Sequence, residues 1–128
     1  IEVVREPNDG YWKNVWMKKP WGACYWGGRP TEDWMFSTTH YSGADWNDTH
    51  FKSDKFDKML IEARAETNQN KRRQLYYEMQ KMVSDEGGTV VPMFANFVFA
   101  AHKNVQHGTM AGNWMMDGNK FHERWWFA

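Results

Sequence analysis

The chain has 128 residues, which is the length of a single domain. It carries 16 basic and 16 acidic residues, and this balance argues against nucleic-acid binding and against electrostatic attachment to a membrane. A single cysteine rules out an internal disulfide framework. Nine tryptophans are unusual in so polar a chain, and they predict a binding surface or an interface with further protein.

The N-terminal residues predict a strand, a helix and a second strand. Residues 1–6 form a β-branched run that Pro7 ends, and Asp9 resembles a helix N-cap. Large apolar residues then recur at helical spacing to about Lys18, namely Tyr11, Trp12, Val15 and Trp16. Residues 22–26 are short, apolar and aromatic, as in a buried strand. This order is typical of the α/β class.

A loop that faces a ligand is predicted after the second strand. Gly27-Gly28 ends the strand, and Pro30 disfavours a helical conformation for Arg29. The rings of Trp26 and Trp34, bare glycine backbone and one guanidinium would hold a small organic molecule by stacking and hydrogen bonds. The alternative interpretation is a loop that fills its own core with tryptophan.

A short helix and a long irregular connection follow. Thr31 predicts the N-cap, with Glu32 and Asp33 suited to the first turn. Residues 37–53 are mostly polar, and long connections of this kind are often functional. Trp46 and the following Asn47 predict a turn that holds an indole in place, either beside a ligand or simply over the adjacent core.

Two amphipathic helices are the clearest elements. Ser53 caps the first, and Asn68 caps the second, which spans about residues 69–86 and ends at Gly87-Gly88. The predicted buried positions are Phe56, Met59, Leu60 and Ala63 in the first helix and Leu75, Tyr76, Met79, Met82 and Val83 in the second. The basic run at residues 71–73 is interpreted as a solvated face, not a nucleic-acid site.

The C-terminal third predicts short strands and an aromatic tail. Residues 89–94 and 97–102 are β-rich, and Pro92 makes the first an edge strand. The tail, residues 113–128, ends in Trp125-Trp126-Phe127, which need a surface to bury against. No transmembrane span is predicted, because the longest apolar tract, residues 90–101, is too short.

Catalytic, metal and cofactor sites have no positive signal in the sequence. The five histidines lack metal-ligand spacing, and no phosphate-binding glycine loop is present. Cys24 lies in a predicted apolar strand, which favours an inert thiol. The pair Glu32 and Asp33 is explained by helix-terminus electrostatics. A hydrolase that uses one of these carboxylates stays an open alternative.

Two blocks carry a family resemblance. They are YWGGRPTEDW at residues 25–34 and KRRQLYYEMQKMVSDEGGTVVPMF at residues 71–94. With the order of the predicted elements, they resemble the C-terminal part of the extracellular solute-binding proteins of family 5, the peptide/nickel-type receptors of ABC transporters. The resemblance covers nearly the whole chain. It implies part of the second lobe of a bilobal periplasmic-binding-protein-like (type II) fold, with a mixed sheet and flanking helices.

The resemblance also implies a domain plan and a function. Residues 1–112 would be the later part of ligand-binding lobe II, and residues 113–128 would cross back toward a missing lobe I. The intact protein would capture a small solute between its lobes outside the cytoplasm and deliver it to a membrane permease. The implied ligand-binding residues are Tyr25, Trp26, Gly27, Gly28, Arg29, Trp34, Trp46 and Asn47. Peptide-binding relatives place an acidic residue where this chain has Trp26, so a sugar or an opine-like compound is as credible as a peptide.

A second class of function stays open. The chain would then be a free-standing carbohydrate- or protein-interaction module that uses its tryptophans as a surface platform. Such a module predicts a monodisperse protein that unfolds cooperatively. A receptor fragment predicts a dimer, a swapped assembly or a molten state, because apolar surface lacks its partner.

Overall fold

The computed structural model describes residues 2–128, and this part of the chain forms two compact units. The helical unit contains residues 2–27 and 31–90, and the C-terminal unit contains residues 28–30 and 91–128. The described residues are 40% helical and include one antiparallel sheet of two strands. The predicted mixture of helices and strands is therefore confirmed in its coarse form.

Within the helical unit the described residues form four helices: α1 (Tyr11–Asn14), α2 (Glu32–Thr39), α3 (Asp54–Ala65) and α4 (Gln69–Glu86). The predicted caps of α2, α3 and α4 are confirmed. The side-chain oxygens of Thr31, Ser53 and Asn68 accept hydrogen bonds from first-turn backbone amides at 3.0–3.3 Å. Each bond satisfies an amide that has no partner within its own helix. Gly87 ends α4 where the sequence predicts.

The core of the helical unit lies where α2, α3 and α4 pack together. Its buried apolar residues are Phe36, Phe51, Phe56, Leu60, Ala63 and Met79. The ring of Phe36 on α2 lies edge-on against that of Phe56 on α3, with 5.3 Å between centroids. Met59, Leu75, Tyr76, Met82 and Val83 pack around this cluster and are partly buried. The predicted apolar stripes of both long helices are thus confirmed.

The predicted opening of strand, helix and strand is wrong for the described residues. Residues 2–6 and 22–26 have no regular secondary structure, and Ile1 lies outside the described residues. A strand exists only where a neighbouring strand supplies hydrogen bonds, and composition does not reveal whether one is present. The helix is also shorter than predicted, because it starts after Gly10, whose φ of 77° lies in the left-handed region, and ends at Asn14.

The C-terminal unit contains the sheet. β1 (Val105–His107) pairs antiparallel with β2 (Trp125–Phe127), so that Gln106 lies opposite Trp126. Between the strands lie α5 (Met115–Asn119) and α6 (Phe121–Arg124). Residues 91–102 form neither helix nor strand, so the two strands predicted around them are wrong for the same reason as those near the N-terminus. Phe94 and Val98 in this stretch are more than 90% exposed.

Asp117 organises the end of the C-terminal unit. Its carboxylate accepts hydrogen bonds from the backbone amide of Ala111 at 2.6 Å, from the Arg124 guanidinium at 3.1 Å and from the Trp125 indole at 3.3 Å. The amide of Ala111, followed by Arg124, lowers the pKa of Asp117. The tail is only partly enclosed, because Trp125 packs on Phe99 whereas the last aromatic residues of β2 stay exposed.

Candidate functional site

An open aromatic pocket of about 280 Å³ lies in the helical unit. Five aromatic side chains line it: Trp12, Trp16, Tyr25, Trp26 and Trp46. Their rings form a continuous series in the order Tyr25, Trp12, Trp16, Trp26 and Trp46, with successive centroids 5.6–6.3 Å apart. Three of the four contacts are edge-to-face, a preferred geometry for aromatic pairs. We call this feature the aromatic pocket.

Helix α1 and the turn that follows it supply one side of the aromatic pocket. Trp12 and Trp16 are four residues apart and therefore lie on the same side of this turn of the chain. Val15 between them is buried and anchors the turn in the helical unit. The Tyr11 hydroxyl donates a hydrogen bond to the carbonyl of Ala23, which fastens residues 22–26 beside α1. Side-chain bonds thus position Tyr25 and Trp26 without any strand pairing.

The carboxylate of Asp48 ties two walls of the pocket together. Its Oδ2 atom accepts the indole N–H of Trp16 at 3.0 Å and the indole N–H of Trp26 at 3.1 Å. The Cys24 thiol donates to the same oxygen at 3.3 Å. Hydrogen bonds to an ionised acceptor are stronger than neutral ones, so this oxygen is the main fastening of the pocket.

Asn47 fixes the loop that carries Trp46. It is 5% exposed, and its amide nitrogen donates to the carbonyl of Phe51 at 2.6 Å. Its side-chain oxygen accepts from the amide of Phe51 at 3.1 Å and from the Thr49 hydroxyl at 3.3 Å. The amide nitrogen and the oxygen of this side chain therefore both make hydrogen bonds within the loop. Trp46, the preceding residue, is half exposed beside the pocket.

The thiol of Cys24, which donates to Asp48 beside the pocket, has a shifted pKa. Partial burial of the sulfur, followed by the hydrogen bond to Asp48 and its negative charge, raises the pKa of Cys24 to about 11, although the residue as a whole is exposed. The thiol is therefore protonated at neutral pH. Because only the thiolate is a good nucleophile, this cysteine is poorly suited to covalent catalysis.

Three of the eight predicted ligand-binding residues come together in the structure. Tyr25, Trp26 and Trp46 line the aromatic pocket. Trp34 lies in the first turn of α2 and is half exposed, but it is not one of the lining residues. Gly27 follows Trp26 at the edge of the helical unit, whereas Gly28 and Arg29 belong to the C-terminal unit. The structure thus brings three of the predicted residues together and leaves the others outside the pocket lining.

Trp12, Trp16 and Asp48 were not predicted as site residues. The sequence shows Trp12 and Trp16 at helical spacing, and this spacing predicts only a short helix. Two tryptophans four residues apart, in a predicted helix too short to carry a long apolar stripe, were the signal that could have indicated these site residues. Asp48 belongs to the predicted turn that follows Trp46, but nothing local indicates its indole partners, which are 32 and 22 residues away in the sequence.

Asp33, one of the two carboxylates of the hydrolase alternative, is part of the scaffold. Its Oδ1 atom accepts from Nε of Arg64 at 2.7 Å and from the Tyr76 hydroxyl at 3.2 Å. These bonds connect α2 to α3 and α4. Within residues 2–128 no group of three or more histidine, cysteine or acidic side chains is arranged to hold a metal ion.

Comparisons with known proteins give no family assignment. No protein-family model matches the chain, and no curated protein or solved structure is significantly similar to it. None of the helices in the described residues combines the length and the apolar character that crossing a bilayer requires. The geometry of the aromatic pocket is therefore the main indication of what this chain binds.

Proposed function

We propose that this chain binds a small organic solute in the aromatic pocket and that it is the later part of lobe II of a solute-binding protein of an ABC importer. The observation that carries the proposal is the meeting of Tyr25, Trp26 and Trp46 around one open cavity. Its volume is near the lower end of small-molecule sites, which are roughly 300–1,000 Å³. Aromatic walls of this kind hold ligands by stacking and apolar contact.

The exposed apolar segment at residues 90–99 supports the receptor interpretation. Val90, Met93, Phe94 and Val98 are all more than 70% exposed, and residues 91–99 form no strand of their own. So much exposed apolar surface on a short stretch is typical of a face that another part of a protein covers. In the proposed receptor, further strands of the same lobe cover it, and the other lobe closes over the ligand outside the cytoplasm before delivery to the permease.

Calorimetric titration of the chain with peptides, sugars, opine-like compounds and small amines tests the binding proposal. Trp26→Ala is expected to remove the heat signal of any solute that binds. Trp21→Ala is the matched control, because Trp21 is 73% exposed, lies in the same unit and does not line the pocket. Equal affinity of Trp26→Ala and the unmodified chain for the same solute would show that the solute does not bind in the aromatic pocket, and it would overturn the proposal.

The second candidate is a free-standing interaction module. It is favoured by one observation, namely that all five lining residues belong to the helical unit alone. Sedimentation of the chain, together with its unfolding transition, distinguishes the two candidates. A monodisperse monomer with a single cooperative unfolding transition favours the module. Self-association through residues 90–99, relieved by Phe94→Asp with Val98→Asp, favours the receptor lobe.

A further inference from the structure

We propose that the aromatic pocket takes an organic cation of the quaternary ammonium class, such as a trimethylammonium group. This inference rests on the proposed solute-binding function and names the substrate class of the same pocket. It follows from three properties of the site. The lining is aromatic, the indole N–H groups of Trp16 and Trp26 already donate hydrogen bonds, and their acceptor is the carboxylate of Asp48.

The lining favours a positive ligand over a neutral one. The face of an aromatic ring carries the negative part of its quadrupole, so a cation beside Trp, Tyr or Phe is attracted electrostatically. Tryptophan is the most effective of the three, and four of the five lining residues are tryptophans. A ligand in the pocket therefore lies beside several rings whose faces attract positive charge.

The hydrogen bonds of the pocket disfavour sugars and peptides. Trp16 and Trp26 already donate their indole N–H groups to Asp48. Aromatic carbon makes up most of the lining, so few groups are left to replace the hydrogen bonds that a hydroxyl or an amide makes with water. A quaternary ammonium ion has no N–H or O–H on its cationic group, and it loses no such hydrogen bonds on entry.

Asp48 supplies charge complementarity. Its carboxylate lies one hydrogen bond away from two of the lining rings. Indole N–H groups at the positive ring edge point to this anion, which polarises the rings and strengthens the negative potential of their faces.

The test measures binding of choline and tetramethylammonium to the full chain by calorimetry. The matched ligand is 3,3-dimethylbutan-1-ol, the uncharged isostere of choline in which carbon replaces the ammonium nitrogen. We expect both cations to bind at least tenfold more tightly than the isostere. Asp48→Asn is expected to weaken binding of the cations more than binding of the isostere, with Asp45→Asn, three residues earlier and exposed, as the control variant.

A second measurement covers the case in which Asp48→Asn loses its fold. Fluorotryptophan replaces all nine tryptophans without changing their shape greatly, and fluorine withdraws charge from the ring faces. Each weakened ring contact is expected to cost about 2- to 30-fold in cation affinity, the range that corresponds to one cation–π contact. The affinity for the isostere is measured in the same preparation and is expected to stay constant.

The outcomes separate this inference from the proposed function. Equal binding of choline and the isostere, or equal loss of both on fluorination, would overturn the cation inference and leave solute binding in place. Binding of a sugar or peptide without binding of the cations has the same meaning. Binding to phosphatidylcholine vesicles without binding of free choline would overturn a free solute as the ligand. No binding of any probe or solute would overturn both proposals.

Discussion

Trp26 and Asp48 are 22 residues apart in the sequence, and the indole nitrogen of the first donates to a carboxylate oxygen of the second at 3.1 Å. This bond connects the segment at residues 22–27 with the loop at residues 40–51. Trp16 donates to the same oxygen at 3.0 Å and brings α1 into the arrangement. One acidic side chain thus fixes three separate parts of the chain around the aromatic pocket.

Replacement of Asp48 with alanine is expected to loosen the pocket. The change removes a charged acceptor shared by Trp16, Trp26 and Cys24, and hydrogen bonds to charged groups each contribute about 1.5–3 kcal/mol. Near-UV circular dichroism of the tryptophans is expected to fall, while the far-UV helical signal stays close to that of the unmodified chain. Asp45→Ala is the control. Unchanged near-UV ellipticity in Asp48→Ala would contradict the role assigned to this carboxylate.

Cys24 is expected to react slowly with alkylating reagents at neutral pH. Its pKa of about 11 means that the thiolate fraction stays small until the solution is strongly basic, well beyond the ordinary value of 9.0. The rate of iodoacetamide modification, measured by mass spectrometry over a pH series, is expected to reach its midpoint near 11. In Asp48→Asn the midpoint is expected to move down toward the ordinary value. A midpoint at the ordinary value in the unmodified chain would contradict the description of this thiol.

Leu60→Ala tests the core of the helical unit. Leu60 is 1% exposed on α3, and truncation of a buried leucine costs roughly 2–5 kcal/mol of unfolding free energy. Ile61→Ala is the matched control, because the next residue on the same helix is 59% exposed and is expected to change stability by about 0.5 kcal/mol or less. Urea unfolding followed by far-UV circular dichroism measures both. Similar losses in the two variants would show that α3 does not bury the face described.

Asn47→Ala distinguishes a structural residue from a ligand contact. The change leaves the buried backbone groups of Phe51 without their side-chain partners, at a cost of about 1–3 kcal/mol. The unfolding free energy is therefore expected to fall, and Trp46 is expected to lose its position. Urea unfolding measures the first effect, and quenching of Trp46 in a variant without the other tryptophans measures the second. Full stability with weaker solute binding would assign Asn47 to the ligand instead.

His40 is expected to make stability depend on pH in weakly acidic solution. Burial against Phe36, Phe51 and Phe56 lowers the pKa of His40 below its ordinary value of 6.5, although the charge of Asp48 opposes the shift. A lowered pKa in the folded state means that the stabilisation is complete above 6.5 and is lost as the pH falls through the folded-state pKa. His40→Gln is expected to remove this part of the pH dependence from urea-unfolding curves. An identical slope in both proteins would contradict it.

Local chemistry in the sequence was enough to place α3 and α4. Ser53 and Asn68 cap their helices through amides only two or three residues away, and a stop at Gly87 is equally local. The predicted strands at residues 22–26 and 97–102 failed because a strand depends on a partner that may lie anywhere in a protein, and apolar composition describes the strand alone.

The aromatic pocket was predictable only in part. The sequence indicates Trp26 because it adjoins the Gly27-Gly28 loop and Trp46 because it lies in a polar connection, although either ring could equally have covered the core. Trp12 and Trp16 fitted a helical stripe equally well, and the spacing gives no information on whether that stripe faces a core or a cavity. The role of Asp48 depends on two indoles that are distant in the sequence, so this role can be recognised only in the folded structure.

The connection between α3 and α4 is only three residues long, from 66 to 68. Closure of so small a loop costs little chain entropy, and contacts between near neighbours in sequence form quickly. This helical hairpin is therefore expected to assemble first during refolding and to serve as the nucleus on which α2 and the tryptophan-bearing segments condense.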